Sequence, residues 1–428
     1  MADMGSMNRE NKKKQLRRQM IHADAGSRPS PDRPSPDRAE DGEEAARKLY
    51  KKVHRRRLIV VIVLLVLVGA GVFAWFYYQR NYAFTSYETV WATEINEGSL
   101  VGYEAFGSNV LKITRDGASY TDNKGKNIWT ESYEMKNPIV SVNGDYAAIA
   151  DKQGNSIYIC NTDGSQGQAT TVLPISKVAV SGTGIVAAVL EDSTSSYVTF
   201  FRKDGTSLDI TVKTNMAGDG YPLDISLSRD GTQMMGSYVF IQNGELKNRV
   251  VFYDFSEIGK NIPNRLVGGF DEQFEGTLAG EVQFLGSPYS CAFSGSGLCF
   301  FSSKNLASPA LVAQVTVEEE IQSVFHSDDY AGIVVRNNTG EFANRMEIYK
   351  KSGELVMKTD FTYDYKGVDI DGDLVILYNE DSCKIYNMAG VQKLYASFDF
   401  TVSRIRQGSF PNTLVVTGPQ MMKEIRLH

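Results

Sequence analysis

The chain has 428 residues and a formal net charge of −6, a sum that conceals two opposite parts. Residues 1–57 carry 16 Lys+Arg against 9 Asp+Glu, and the remainder carries 29 against 42. The acidic bulk, with a basic tail that has no Phe, Tyr or Trp in its first 49 positions, excludes nucleic-acid binding by base stacking, and four cysteines in so long a chain exclude a disulfide framework.

Residues 1–57 are predicted to form a disordered, basic, cytoplasmic tail, because so little apolar area cannot offset the entropy of ordering. The tail holds the clusters Lys12-Lys13-Lys14 and Arg17-Arg18 and a tandem Arg-Pro-Ser-Pro-Asp repeat over 28–37, which reads as a solvated spacer. Leu58 to Tyr78 contains no charge, and 21 residues at about 1.5 Å rise match a bilayer core of about 30 Å. A cleaved signal peptide is the competing reading, but 57 residues precede the apolar run and the run exceeds the usual signal length. Arg55, Arg56 and Arg57 before the span, against Arg80 alone just after it, place the N-terminus in the cytoplasm and the C-terminal part outside. Trp75 to Tyr78 form an aromatic belt at the outer interface.

Residues 79–86 read as a short connector, and 87–428 as one extracytoplasmic all-β domain of short β-branched and aromatic runs broken by Gly, Asn and Asp. An apolar strand followed by a turn closing on glycine recurs at Gly125, Gly164, Gly205, Gly353 and Gly390, with a mean period of about 44 if six steps separate first from last. That is the length of a four-stranded β-propeller blade. Blades are expected over about Leu100–Lys136, Pro138–Leu173, Ile175–Met216, Pro222–Phe270, Glu281–Val317, Ile321–Tyr363 and Gly367–Phe398. The last segment makes only three strands, and Tyr87 to Ile95 can supply the fourth, closing the ring and hiding both edges. The count is eight blades, with seven as the alternative. Cys291 and Cys299 flank the turn Ser294 to Gly297, and the loop parity decides whether they face one another.

Val110 to Trp129 and Gly220 to Gly231 resemble an uncharacterised family of single-pass bacterial membrane proteins, catalogued only as a domain of unknown function. The resemblance implies an extracytoplasmic propeller and supplies no activity. More loosely, Ser228-Arg-Asp-Gly231 is similar to the Ser-Pro-Asp-Gly turn of quinoprotein-like propellers, with Arg229 in place of the proline, and the overall pattern is similar to tryptophan-aspartate-repeat propellers.

No nucleophile elbow, phosphate loop or zinc-protease motif is present. Outside the predicted membrane segment and tail the histidines are His326 and His428, and His326 reads as a solvated loop residue. Asp369, Asp371 and Asp373 alternate along an extended segment and so share one face, a set suited to calcium, but they lack the EF-hand pattern and sit where a turn wants Asp and Gly, so no metal and no cofactor is assigned. Glu318-Glu319-Glu320 reads as an exposed loop between blades. A quinone enzyme needs aromatic stacking in the channel, yet Trp91 and Trp129 fall on outermost strands. Innermost strands contribute the channel-lining candidates Glu104, Asn143, Asp224, Gln283, Asp369 and Arg404. The favoured function is a scaffold that binds an envelope protein or polymer. The alternative is an envelope hydrolase acting on glycan through paired carboxylates in the channel mouth.

Overall fold

The structure is a computed structural model that describes residues 36–95, 98–215, 218–338 and 340–428. The expectations for residues 1–35, including both basic clusters and most of the Arg-Pro-Ser-Pro-Asp repeat, lie outside the described residues. The chain divides into two units, the first ending at Tyr78 and the second running from Gln79 to His428.

Helix α1, Pro36–Asn81, starts 22 residues earlier than the apolar run, so positions 36–57 are helical rather than part of a disordered tail. Proline suits the first helical position, the next turns are rich in Asp, Glu and Ala, and the apolar run provides a long helix onto which this segment propagates. Within it, His54–Tyr78 has a mean hydropathy of 3.0 over its most apolar window, none of which is buried.

The second unit is an eight-bladed β-propeller, each blade a four-stranded antiparallel sheet. The innermost strands of blades 1 to 8 are Leu100–Phe106, Pro138–Asn143, Ile175–Val180, Tyr221–Leu227, Ala279–Phe284, Ile321–His326, Gly367–Asp371 and Arg404–Gln407. Blade 8 takes its outermost strand, Tyr87–Glu94, from the start of the unit, paired antiparallel with Met421–Leu427 from Tyr87↔Leu427 to Glu94↔Met421. The connector is itself fastened to blades 7 and 8. The Phe84 amide donates to the Lys393 carbonyl at 2.7 Å, the Thr85 amide to the His428 carbonyl at 2.9 Å, and the Asn387 side chain to the Arg80 carbonyl at 2.7 Å.

The apolar core lies between blades. Seven of its clusters each join two neighbouring blades, for instance Ala148, Ile157 and Ile159 of blade 2 with Val186, Ala188 and Phe201 of blade 3. Blades 8 and 1 share the smallest cluster, Val415 and Met422 against Tyr103 and Val110. Polar contacts supplement it, with Tyr103 Oη donating to the Gly418 carbonyl at 2.9 Å and Arg404 to the Tyr103 carbonyl at 2.7 Å.

The recurring glycine that reveals the period closes the hairpin between the third and fourth strands, and two requirements fix it. Gly205 has φ +85°, which L side chains rarely adopt, and a Cβ there would lie 2.0 Å from the Gln168 carbonyl oxygen on the outer strand of blade 2. Gly353 repeats this at φ +82°, with a Cβ 2.3 Å from that of Ala313 on blade 5. At Gly205 and Gly353 the turn thus packs close against the preceding blade, whereas a Cβ at Gly164 would meet nothing within 4 Å.

Blade 4 is stretched by a hairpin of two ten-residue strands, Gln233–Gln242 and Glu245–Asp254, joined at Asn243-Gly244 with positive φ at both residues. The Cys291 hairpin has an even, two-residue turn, so Ala292 rather than Cys291 faces Cys299. All four cysteines are free and buried.

Candidate functional site

A propeller's innermost strands surround its axis, and the bulge that begins several of them determines what reaches it. In blades 3, 4, 5 and 6 the pairing slips just before Lys177, Asp224, Glu281 and Ser323 respectively. An extra residue at this point re-aims the side chains that follow, so Lys177, Asp224 and Glu281 stand at equivalent positions on successive blades. Lys177 Nζ lies 2.8 Å from Asp224 Oδ1, and the Val282 amide donates to Asp224 Oδ2 at 2.9 Å. The same device, a side-chain oxygen accepting from the next blade's inner strand, recurs where Ser141 accepts from the Val180 amide, Ser226 from Phe284 and Asp371 from Gln407.

Two adjoining cavities occupy the channel. One of about 310 Å³ is lined by Glu104, Asn143, Gln283, His326, Asp369 and Arg404, among others, and reaches the turn residues Arg229 and Asp328. The second, of about 330 Å³, is lined by Lys177, Asp224 and Glu281 and shares Asn143, Gln283 and His326 with the first. Five of the six residues chosen from the sequence thus line the first cavity, and Asp224 lines the second.

Arg404 joins three blades. Its guanidinium donates to the Tyr103 carbonyl at 2.7 Å, to Glu104, and to Asp369 Oδ1 at 3.0 Å. Burial opposes its charge, but Asp369 and Glu104 outweigh burial and hold it protonated. Asp371 accepts from Gln407 and lies 3.5 Å from Arg406 Nε, so two of the three alternating aspartates are taken by arginines. Among the described residues, no group of three or more His, Cys, Asp or Glu side chains could hold a metal.

Glu281 differs from its neighbours. Burial pushes its carboxyl up to about 7, the negative charge of Asp224 adds to this, and Lys177 opposes it. Its contact on the far side is His326 Nε2, 3.7 Å away. His326 is not the loop residue expected from the sequence. It ends the inner strand of blade 6 opposite Ala331, because the turn begins one residue later, at Ser327. Burial lowers its basicity against the pull of Asp328 and Asp369.

Sequence reasoning missed Lys177, Glu281 and His326. Once the blades are aligned, the signal is positional, since Glu281 lies two residues before Gln283 on the same strand face. Trp91 and Trp129 lie on outermost strands, where Trp129 Nε1 donates to the Thr162 carbonyl at 3.1 Å. The acidic run between blades 5 and 6 is held by its own blade, Glu319 by Arg345 at 2.7 Å and Glu320 by Arg336 at 3.4 Å.

These features define an eight-bladed propeller with a narrow, charged channel. The chain belongs to a family of unknown function, DUF5711, which matches over residues 80–427. No curated protein matches it in sequence. Among solved structures it is similar to Sqt1 from Chaetomium thermophilum, with 10% identity over 79% of this chain and 99% of that one, at a TM-score of 0.51. Sqt1 bound to the N-terminus of the ribosomal protein L10 is similar at 11% identity, with the same coverage and a TM-score of 0.49. The WD40 domain of Neurospora crassa Pan2 is similar at 10% identity over 79% of this chain and 95% of that domain, at a TM-score of 0.41. At these identities the likeness concerns the fold alone.

Proposed function

We infer that this protein is a single-pass, membrane-anchored scaffold whose propeller lies outside the cytoplasm and binds a protein or polymer of the bacterial cell envelope. The observation that carries this reading is the apolar stretch His54–Tyr78, with none of its most apolar window buried, directly before a rigid β-propeller. The arginines at 55–57 favour a cytoplasmic N-terminus. Binding is preferred to glycan hydrolysis because Glu104 and Asp369 converge on Arg404 and Asp224 on Lys177. A glycosidase needs two carboxyls available to the sugar.

Crosslinking in intact cells followed by purification of the full chain should recover the same envelope component reproducibly. Because the native cysteines are buried, a Glu354→Cys variant should label with a membrane-impermeant thiol reagent from outside. Failure to recover any reproducible partner, or labelling only after lysis, overturns the reading.

A further inference from the structure

The channel's charges are unevenly matched. Glu104 and Asp369 share Arg404, and Asp224 is met by Lys177, so three carboxylates have a cation from the chain itself. At the channel mouth Asp328 faces Arg229 at 3.8 Å. Among the described residues, Glu281 has no lysine or arginine contact of this kind. Its titratable neighbour within 4 Å is His326, whose basicity burial lowers, and the Glu281 side chain itself is 39% exposed to the channel. Glu281 nevertheless faces a cavity of about 330 Å³, large enough for a side-chain headgroup.

We propose that this cavity is a receptor for one ammonium or guanidinium group, a lysine or arginine side chain of a partner polypeptide, seated against Glu281 beside His326 and Gln283. The chain's own chemistry favours such a cation, since Arg404 already places a guanidinium between two carboxylates of the same channel. Burial and the charge of Asp224 lift the Glu281 carboxyl to about 7 although Lys177, which lines the same cavity, partly offsets them, because the Lys177 ammonium is committed to Asp224 at 2.8 Å. A cation entering the cavity favours the ionised form, so binding releases a proton near neutral pH. The groups that act on Glu281 are Asp224 on blade 4, Lys177 on blade 3 and His326 on blade 6, with Asp328 and Asp369 acting on His326 in turn.

This inference deepens the envelope-binding reading and rests on it for the source of the cation. The test is calorimetric titration of the full chain in detergent with N-acetyl-argininamide and N-acetyl-lysinamide. Neutral N-acetyl-glutaminamide and glucosamine serve as comparison probes. A basic probe should bind at pH 8, weaken roughly tenfold at pH 6 as Glu281 takes up its proton, and show an enthalpy that depends on the ionisation heat of the buffer. Glu281→Gln should weaken binding about tenfold or more, as expected for loss of a charge-assisted contact, while Glu354→Gln on an exposed turn leaves it unchanged. A thermal melt confirms that Glu281→Gln is folded. The proposal is overturned if neither basic probe binds, if the neutral probe binds equally, or if Glu281→Gln binds like the parent. Glu281-dependent binding of glucosamine without binding of the basic amides also overturns it and points to an amino sugar. If crosslinking recovers the same partner from Glu281→Gln as from the parent, this proposal falls while the envelope reading stands. If no partner is recovered although the amides bind, the envelope reading falls and the cation site stands.

Discussion

Replacing Arg404 by methionine removes the guanidinium that ties blade 8 to blades 1 and 7 while keeping most of its length. Two carboxylates, Glu104 and Asp369, are then left facing each other in the channel, at the interface whose apolar cluster is the smallest of the ring. Removing one partner of a buried ion pair costs about 3–5 kcal/mol. Glu104 is 37% exposed and Asp369 26%, so solvent screening brings the expectation to about 2–4 kcal/mol. For a unit of about 350 residues, at about 2.1 cal/mol/K per residue, that is a fall in Tm of about 3–5 °C. The triple variant Arg404→Met, Glu104→Gln, Asp369→Asn leaves no uncompensated charge and should recover most of the loss. Calorimetric melts of the full chain in detergent, at fixed pH and salt, measure both. A single variant that melts within 1 °C of the parent, or a triple variant no more stable than the single, would refute the view that Arg404 neutralises two carboxylates at the ring closure.

Gly205→Ala places a side chain at φ +85° and against the Gln168 carbonyl, so it should cost about 1–3 kcal/mol in strain alone, read as a lowered midpoint in urea. The four cysteines should not react with an aromatic disulfide reagent in the native protein and all should react after unfolding. Burial pushes the Cys160 and Cys383 thiols up to about 12 and that of Cys299 to about 11, and Cys291 is raised as well. Glu281 binds its proton more tightly folded than unfolded, so its contribution to stability is full below about pH 4.5 and is lost as the pH rises through about 7. Glu281→Gln, neutral throughout, should therefore gain stability relative to the parent between pH 5 and pH 8. Thermal melts across that range that run parallel for the two proteins would count against this sign.

The apolar run Leu58–Tyr78, the all-β composition of the second unit and its repeat near 44 residues are local properties, and the sequence states them directly. Closure by the strand at Tyr87–Glu94 follows from counting strands, because edges must be hidden, and the register Tyr87↔Leu427 meets that requirement, while the sheet topology decides for eight blades against seven. The glycine repeat is legible because a positive φ recurs at all five positions, and at Gly205 the backbone of the preceding blade approaches as well. Helicity over 36–57 is not legible in the sequence, because weak helix propensity there is decided by attachment to the long apolar helix.

The channel is a different matter. Strand alternation has period 2, so a single bulge reverses which side chains point inward. Glu104, Asn143 and Arg404 were accessible to a reading by position, whereas Lys177, Glu281 and His326 were not, since the slips before Lys177 and Glu281 and the turn beginning at Ser327 leave no mark in composition. Pairing of charges across blades was less accessible still, because Arg404 and Glu104 are 300 residues apart in the chain. Sequence by itself determined that this protein has an apolar helix followed by a ring of four-stranded repeats, because hydropathy and turn chemistry act within a few residues. Only the tertiary structure decided which carboxylates of the channel have a cation and that Glu281 lacks one, because that balance is set by side chains converging from six different blades.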